Sequence, residues 1–297
     1  MTSATTRSPG SLSRRTLLGG LLAGATAAAV GCGADGATAP APGGGPAATV
    51  ASLVAERPFY VAHRGGGGNW PEMTAYAYEQ AARLPGLHAL EISVCLSADG
   101  VLVCSHDPST ARVTGVDHDI ATTPWSTLST LQVSAAGTTD PAQPSRPLTR
   151  FDDVVDAYAD RFVLFVEPKV PAAAGPLMAR LVGLGQPERV VWKQYVNSGE
   201  FERAKGNGFG TWGYVLDQPS HLGANLERFA AAPHIDMLGV PREQPDAFVS
   251  AVTDAANRNG KPAMMWALSS EEDRSRALRL GCRGLMTSNI AGLLPRG

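Results

Sequence analysis

Eight short apolar runs alternate with helix-like stretches from residue 51 onward, and this alternation constrains the fold more than any other feature. The apolar runs predict strands at residues 58–62, 88–95, 162–167, 189–195, 211–216, 235–240, 262–267 and 283–287. The helical patterns lie at residues 72–84, 151–160, 173–184, 198–206, 223–231, 246–257 and 270–280, with a short one after Ser288. Eight such units in about 245 residues are typical of a single α/β domain with a closed (β/α)8 TIM barrel, and an open doubly wound sheet is the alternative.

Residues 96–147 interrupt the second unit with a hairpin and a Pro/Thr/Ser-rich loop. An insertion at the carboxyl end of a strand is positioned to cover a site there, so we expect a lid or specificity loop. Asp99-Gly100 is a strong signal for a two-residue hairpin turn, and a turn centred there would place Cys95 opposite Cys104. The sequence leaves open whether these two cysteines form a disulfide or stay as buried thiols.

The first fifty residues are typical of an exported protein. Arg14-Arg15 precede a Leu/Ala/Gly-rich segment, so residues 1–31 are predicted to be a twin-arginine lipoprotein-type signal peptide. Cys32 is then expected to be lipid-modified, although an ordinary signal peptide that happens to contain a cysteine is the alternative. Residues 32–50 are predicted to be an Ala/Gly/Pro-rich tether, and residues 51–297 the folded domain. The expected location is the extracytoplasmic face of a bacterial membrane, or the secreted fraction.

The charge balance argues against a nucleic-acid partner. The full chain has a formal net charge of −2, and loss of residues 1–31 removes three arginines and no acid, which leaves 22 basic and 27 acidic residues and a net charge of −5. Binding to a phosphate backbone requires a basic stripe, and the sequence contains none.

Two histidines follow apolar runs that read as strands. His63 comes directly after residues 58–62, and His106 follows residues 101–104. Catalytic groups sit at the carboxyl ends of strands in barrels of this type, and two imidazoles there can act as a general acid and base pair. Arg64 would suit a bidentate contact to phosphate, and Lys169 could also contact it.

Two carboxylates lie in or at the end of apolar runs, at Glu91 and Glu167. Buried carboxylates are costly unless they are paired or bind a metal. The pair predicts a site for a divalent cation, Mg²⁺ or Ca²⁺, with salt bridges to Lys169, Arg64 or another core cation as the alternative. Trp266 ends its strand and is expected either to wall the pocket or to pack in the core.

The ordered set of motifs resembles the glycerophosphodiester phosphodiesterase family, within the phosphatidylinositol-phospholipase-C-like superfamily. The resemblance extends from about residue 58 to residue 294 and rests on His63-Arg64-Gly65, Asn69-x-Pro71-Glu72-x-Thr74, Glu91, Asp99-Gly100, His106-Asp107, Glu167-x-Lys169, Trp266 and Gly281–Thr287. It implies a (β/α)8 barrel that hydrolyses glycerophosphodiesters to an alcohol and glycerol 3-phosphate with a divalent cation and two histidines. It also implies that Asn69, Glu72 and Trp266 lie in or around the pocket.

The sequence departs from the family pattern at two positions. The resemblance implies an aspartate ligand two residues after Glu91, where this chain has Ser93, and an aspartate where it has Ser288. A serine hydroxyl is a neutral and weaker ligand for a hard cation. Ser93 is therefore an uncertain metal ligand.

The resemblance implies that His63 is the initial base and His106 the acid, acting on a small glycerophosphodiester or a lysophospholipid head group. Two alternatives stay open at this point. One is a catalytically weakened, phosphate-binding surface lipoprotein, and the other is a sphingomyelinase D-like phospholipase that forms a cyclic phosphate. A monomer is the default expectation.

Overall fold

The structure, a computed structural model, describes residues 48–295. Its strands are β1 (Phe59–Ala62), β2 (Ala89–Leu96), β3 (Leu102–Cys104), β4 (Gln132–Val133), β5 (Arg146–Pro147), β6 (Val163–Pro168), β7 (Val190–Tyr195), β8 (Gly210–Tyr214), β9 (Met237–Pro241), β10 (Ala263–Leu268) and β11 (Gly284–Thr287). Eight of these strands form a parallel barrel, because β1 pairs with β11 on one side and with β2 on the other. The predicted (β/α)8 barrel is confirmed, and this closure excludes the open doubly wound sheet.

Helices follow the strands as the alternation predicts. They are α1 (Val50–Ala55), α2 (Ala75–Ala82), α3 (Ala111–Thr114), α4 (Trp125–Leu128), α5 (Phe151–Tyr158), α6 (Pro171–Val182), α7 (Phe201–Gly206), α8 (Ala224–Ala231), α9 (Asp246–Arg258), α10 (Glu271–Arg279) and α11 (Ile290–Leu293). Each predicted strand and helix of the eight units corresponds to one of these elements. Helix α10 begins with a capping box, in which Ser270 and Asp273 satisfy each other's backbone N–H groups.

The barrel interior is filled by side chains from alternate strand positions. Together with Leu53 of α1, these inward residues form one apolar cluster: Phe59, Val61, Ala89, Val163, Phe165, Val191, Trp212, Tyr214, Met237, Met264 and Met286. Helix α1 lies at the amino end of the barrel, where Leu53 is buried and Val50 packs against Gly210 at the start of β8. Apolar side chains therefore close the amino end, and polar inward positions occur towards the carboxyl ends of the strands.

The insertion after β2 forms a small structure of its own. Strand β3 pairs with β2 in the antiparallel direction, and β4 pairs with β5. A separate apolar cluster stabilises this region: Cys95, Val103, Ile120, Leu128, Val133 and Leu148. The insertion reaches the loop after β1, where the Thr139 N–H donates to the Gly68 carbonyl oxygen at 2.7 Å.

The pairing of the two hairpin cysteines was predicted wrongly. Cys95 lies opposite Val103, and Cys104 lies opposite Val94, so the two cysteines are offset by one position. The reason is the turn: the Ser97 N–H pairs with the Val101 carbonyl, which leaves a three-residue loop with Gly100 at φ +84°. Because neighbouring strand positions face opposite sides of a sheet, the two thiols pack into different apolar clusters. Both are buried and free.

Residues 1–47 lie outside the described residues, and these include the predicted signal peptide, Cys32 and most of the tether. Between residues 48 and 295, no helix has the length and apolar character required to cross a membrane.

We predict three free thiols in a Cys32→Ser variant of the full chain, titrated with a thiol reagent in denaturant and without reductant. The expected result follows from the separation of Cys95 from Cys104 and from the free, buried Cys282. A single reactive thiol would mean that Cys95 and Cys104 are joined, and that the hairpin register differs from the one described.

Candidate active site

The carboxyl ends of the barrel strands surround a pocket of about 350 Å³. Its lining residues are His63, Arg64, His106, Glu167, Lys169, Lys193, Tyr195, Tyr214, Leu216, Glu243, Trp266 and Ala267. The structure thus brings together six of the side chains predicted from sequence, which come from the ends of β1, β6 and β10 and from the segment after β3. It also adds a lysine, two tyrosines and a glutamate that the sequence reasoning did not identify.

His63 lies in a tight turn that immediately follows β1. Arg64 has a left-handed backbone conformation at φ +53°, which is uncommon for a residue with a side chain. This conformation directs the Arg64 N–H towards the buried Glu91, to whose Oε2 it donates at 2.7 Å. Glycine is required at position 68, since an added Cβ would lie 2.9 Å from the Ser288 carbonyl oxygen. Gly68 thus allows the loop that carries His63 to pass close to Ser288, where the Gly68 N–H donates to the Ser288 carbonyl oxygen at 2.8 Å.

His63 is almost fully buried, with 7% of its surface exposed. Its Nδ1 lies 2.9 Å from the Ser288 hydroxyl, a neutral partner in the loop after β11. Burial lowers the pKa of His63 well below 6.5, and the charges of Arg64 and Lys193 lower it further against the opposing effect of Glu91. The imidazole is therefore neutral near pH 7 and able to accept a proton.

His106 is held by a carboxylate. Its Nδ1 lies 2.7 Å from Asp107 Oδ1, and the other oxygen of Asp107 accepts a hydrogen bond from Arg112 at 2.5 Å. Arg112 also contacts Glu72 at 2.6 Å, and Glu72 pairs with Arg64 at 3.1 Å. Burial and the charges of Arg64 and Lys169 lower the pKa of His106, and the Asp107 hydrogen bond only partly offsets this. A chain of ion pairs thus fixes the orientation of this second imidazole.

Lys193 on β7 lies between the two carboxylates that were predicted to bind a metal. Its Nζ is 2.7 Å from Glu91 Oε1 on β2 and 2.7 Å from Glu167 Oε2 on β6. All three residues are buried, with 4% or less of their surface exposed. We call these three residues, Lys193, Glu91 and Glu167, the ion triad.

The remaining carboxylate lone pairs of the ion triad are used by neighbouring groups. Glu91 also accepts hydrogen bonds from the Ser93 hydroxyl at 3.1 Å and from the Arg64 N–H. Glu167 Oε1 accepts from the Tyr214 hydroxyl at 2.7 Å and from Lys169 at 3.1 Å. Each carboxylate is therefore paired and hydrogen-bonded, which is the condition under which buried charges are tolerated.

The residues present do not fit the predicted metal site. A divalent cation in such a position would need several oxygen ligands at about 2.0–2.6 Å, whereas the groups facing the gap between Glu91 and Glu167 include an ammonium. Ser93 donates its hydroxyl to Glu91 and faces Glu167 across the β2–β6 pairing. Within residues 48–295, no group of three or more His, Cys, Asp or Glu side chains has a geometry that could hold a metal ion. The structure instead matches the alternative of salt bridges to a core cation. The cation that bridges the two carboxylates is Lys193, and Lys169 contacts Glu167 as well.

The ionisation of the ion triad follows from its pairing. Burial would raise the pKa of Glu91 and of Glu167, but the charge and hydrogen bond of Lys193 outweigh it and lower the pKa of both. Burial would likewise lower the pKa of Lys193, and the two carboxylates raise it above its usual value. All three groups are charged across the neutral range.

The other predicted pocket residues occupy distinct places. Lys169 lines the pocket beside Glu167, and Trp266 lines it while packing edge-on against Trp212 and Tyr214. Asn69 does not line it: its side chain donates to the Asn289 side chain at 2.8 Å and accepts from the Ala291 N–H, so it joins the loop after β1 to the start of α11.

The insertion contributes little to the main pocket beyond His106. Residues 107–147 are all described, and none of them lines the pocket. Gly137 lines a neighbouring recess of about 290 Å³ together with His63 and Arg64. The role of the insertion as a lid stays a prediction.

One signal in the sequence pointed to Lys193. It lies inside an apolar run, Val190–Tyr195, in the same way that Glu91 lies inside its own run. A charged residue at an interior strand position is costly without a partner, so the two observations together predict a pair. Tyr214 carried no comparable signal, because a tyrosine at the end of a strand is common.

Comparison with known proteins supports the resemblance seen in the sequence. Residues 63–182 match the model of the Glycerophosphoryl diester phosphodiesterase family. A probable glycerophosphodiester phosphodiesterase 1 of Mycobacterium tuberculosis is 32% identical over 132 residues, which cover 42% of this chain and 48% of that protein. A glycerophosphodiester phosphodiesterase of Arabidopsis thaliana is 43% identical over 72 residues, or 24% of this chain and 19% of that protein. The chain thus spans about half or less of the curated relatives that it matches.

Solved structures share the fold. A crystal structure described as a putative glycerophosphoryl diester phosphodiesterase from Agrobacterium tumefaciens has a TM-score of 0.66 at 19% identity, and the match covers 80% of this chain and 95% of that one. A phosphodiesterase from Oleispira antarctica in complex with the product sn-glycerol-3-phosphate has a TM-score of 0.64 at 21% identity, with 80% and 95% coverage. At these identities, the similarity establishes the fold.

We predict that Lys193→Met lowers the free energy of unfolding by about 3–5 kcal/mol, because it leaves two buried carboxylates without their cation. Equilibrium denaturation would measure the change. Lys205→Met is the matched control: Lys205 also bridges a carboxylate, Asp236 at 3.0 Å, but it is exposed, so a loss of about 1 kcal/mol or less is expected. Equal stability of the Lys193→Met variant and the wild-type chain would contradict the buried pairing.

Proposed function

We propose, from the match of residues 63–182 to the model of the glycerophosphoryl diester phosphodiesterase family, that the chain hydrolyses glycerophosphodiesters to an alcohol and glycerol 3-phosphate. The observation that carries the proposal is the common pocket, in which two neutral imidazoles face a group of cationic side chains. The structural neighbour from Oleispira antarctica, which binds sn-glycerol-3-phosphate, supports a small glycerophosphate substrate.

Three cations would bind the phosphodiester. Arg64, Lys169 and Lys193 line the pocket together, and positive groups fixed in a partly dry site stabilise the charge that grows on phosphoryl oxygens during displacement. Arg64 uses one terminal nitrogen on Glu72, and its other terminal nitrogen has no hydrogen-bond partner among the described residues. That nitrogen could donate to a phosphate oxygen.

We assign the two histidines complementary roles. His63, which is buried and neutral, would accept the proton of the attacking hydroxyl, which belongs either to water or to the neighbouring alcohol of the substrate. The new P–O bond forms as the bond to the leaving alcohol breaks, and His106 would donate its proton to that oxygen. The charge of Asp107 and the bound phosphate favour the protonated form of His106 in the complex.

The chain's location belongs to the same proposal. The paired Arg14-Arg15 and the Cys32 that follows the apolar segment support export and anchoring to the outer face of a bacterial membrane. Hydrolysis of a glycerophosphodiester there would release glycerol 3-phosphate outside the cytoplasm.

We predict that His63→Ala and His106→Ala each lower kcat with glycerophosphocholine by about 100-fold or more while changing thermal stability little. The roles separate with an aryl phosphodiester, whose leaving group needs no proton: His106→Ala should recover most of its activity and His63→Ala should not.

Phosphorus NMR of the product completes this experiment. A glycerol 3-phosphate signal from the wild-type chain supports hydrolysis, while a persistent cyclic phosphate signal supports the phospholipase D-like alternative. Phosphate binding without turnover of either substrate would support a binding protein and overturn the proposal.

The pH dependence has a defined direction. The pKa of His63 and that of His106 both lie below 6.5 in the free protein. The value of kcat/KM should rise as His63 loses its proton and fall as His106 loses its own, so the maximum is expected on the acidic side of pH 6.5. With the aryl substrate, the wild-type chain and His106→Ala should both lack the alkaline decline, because that leaving group needs no proton. A maximum well above neutral pH would contradict the assignment.

A further inference from the structure

We propose that the ammonium group of Lys193 takes the place of a divalent metal ion in this site, so that phosphate binds without added metal and, if the proposed function holds, the ester is hydrolysed without it. This inference starts from the disagreement between the metal expected by resemblance and the ion triad. It makes the chain a metal-independent member of its structural class.

The position of Lys193 excludes a second cation at the same point. The ammonium nitrogen lies 2.7 Å from an oxygen of Glu91 and 2.7 Å from an oxygen of Glu167, so it fills the point where a metal bridging these two oxygens would lie. A metal ion placed there would displace the ammonium into a buried site without its counterions, which is strongly unfavourable.

The charge of the ion triad also replaces that of a metal site. A divalent cation held by three carboxylates leaves a net charge of −1. Lys193 with Glu91 and Glu167 leaves the same net charge, and position 93, where the resemblance implies the third carboxylate, carries a neutral hydroxyl that donates to Glu91. Compared with such a metal site, the site here has one negative charge fewer at position 93 and one positive charge fewer on its cation, so its net charge is the same.

Lys193 can also reach a substrate. An ammonium has three N–H donors. Two are directed to the glutamates, and the residue lines the pocket although only 4% of its surface is exposed. The third donor can therefore be offered to a phosphoryl oxygen, next to Lys169 and Arg64 in the same lining. The aromatic faces of Trp212 and Tyr214, with centroids 5.5 and 6.0 Å from Nζ, restrict other directions.

The first experiment measures binding of inorganic phosphate and of sn-glycerol 3-phosphate to the full chain by calorimetry, in EDTA and in excess Mg²⁺. We expect the same affinity in both buffers for the wild-type chain, and a loss of about tenfold or more in Lys193→Met. Lys205→Met, an exposed lysine outside the pocket, should bind like the wild-type chain.

Because Lys193→Met is expected to be less stable, a second variant keeps the experiment decisive. Lys193→Met combined with Glu91→Gln and Glu167→Gln removes the cation and both anions and relieves the unpaired charge. It should fold, as judged by circular dichroism, and still bind phosphate weakly. Undiminished phosphate binding in this folded variant would overturn the proposal.

Metal binding provides a readout independent of activity. Calorimetry with Mg²⁺ or Mn²⁺ should detect no binding to the pocket of the wild-type chain or of Ser93→Asp, where the ammonium remains. Ser93→Asp combined with Lys193→Met presents three carboxylates without the ammonium and should gain metal binding. Tight Mg²⁺ binding to the wild-type chain that requires Glu91 and Glu167 would overturn the proposal.

The two proposals fail in different ways. Hydrolysis of glycerophosphocholine that EDTA abolishes and Mg²⁺ restores would overturn the role of Lys193 and leave the phosphodiesterase activity standing. Phosphate binding in EDTA that depends on Lys193, without hydrolysis of any diester, would overturn the activity and support the role of Lys193. Phosphate binding that appears only with Mg²⁺ would overturn the role of Lys193.

Discussion

The arrangement of the pocket depends on the contact of one ammonium with two carboxylates inside the barrel. Lys193, Glu91 and Glu167 come from three adjacent strands, β7, β2 and β6, and each would be costly to bury alone. Their contacts join β7 to β6 and to β2 inside the barrel. The same contact leaves Glu91 Oε2 to accept the Arg64 N–H, so the turn that carries His63 is anchored to the ion triad.

The two imidazoles are held in different ways, and this difference bears on their roles. His63 rests against the hydroxyl of Ser288, a neutral partner, and is buried among positive charges. His106 belongs to the ion-pair chain through Asp107, Arg112 and Glu72, which joins the insertion to the loop after β1. A carboxylate partner favours the imidazolium and a neutral one does not, so the geometry supports His63 as base and His106 as acid.

Much of the site could be anticipated from sequence because parallel strands bring their carboxyl ends to one rim. His63, Glu167 and Trp266 were each found at the end of an apolar run, and all three line the pocket. The register of the β2–β3 hairpin could not be predicted as reliably. A two-residue and a three-residue loop share the Asp99-Gly100 signal, and the two loops give pairings that differ by one position. That single position separates Cys95 from Cys104.

The sequence by itself determined eight alternating strand and helix units, because alternating apolar runs and amphipathic stretches leave few other ways to bury both faces of parallel strands. The tertiary structure decided that the sheet closes, through the pairing of β1 with both β11 and β2. The sequence also indicated several of the polar side chains that reach the rim, since alternation along a strand sets the face of each residue. Only the tertiary structure decided which charges meet. Lys193 is 102 residues from Glu91 along the chain, and their contact depends on strand order and stagger around the closed barrel. For that reason the sequence predicted a metal ion between Glu91 and Glu167, whereas the structure has the ammonium group of Lys193 between them.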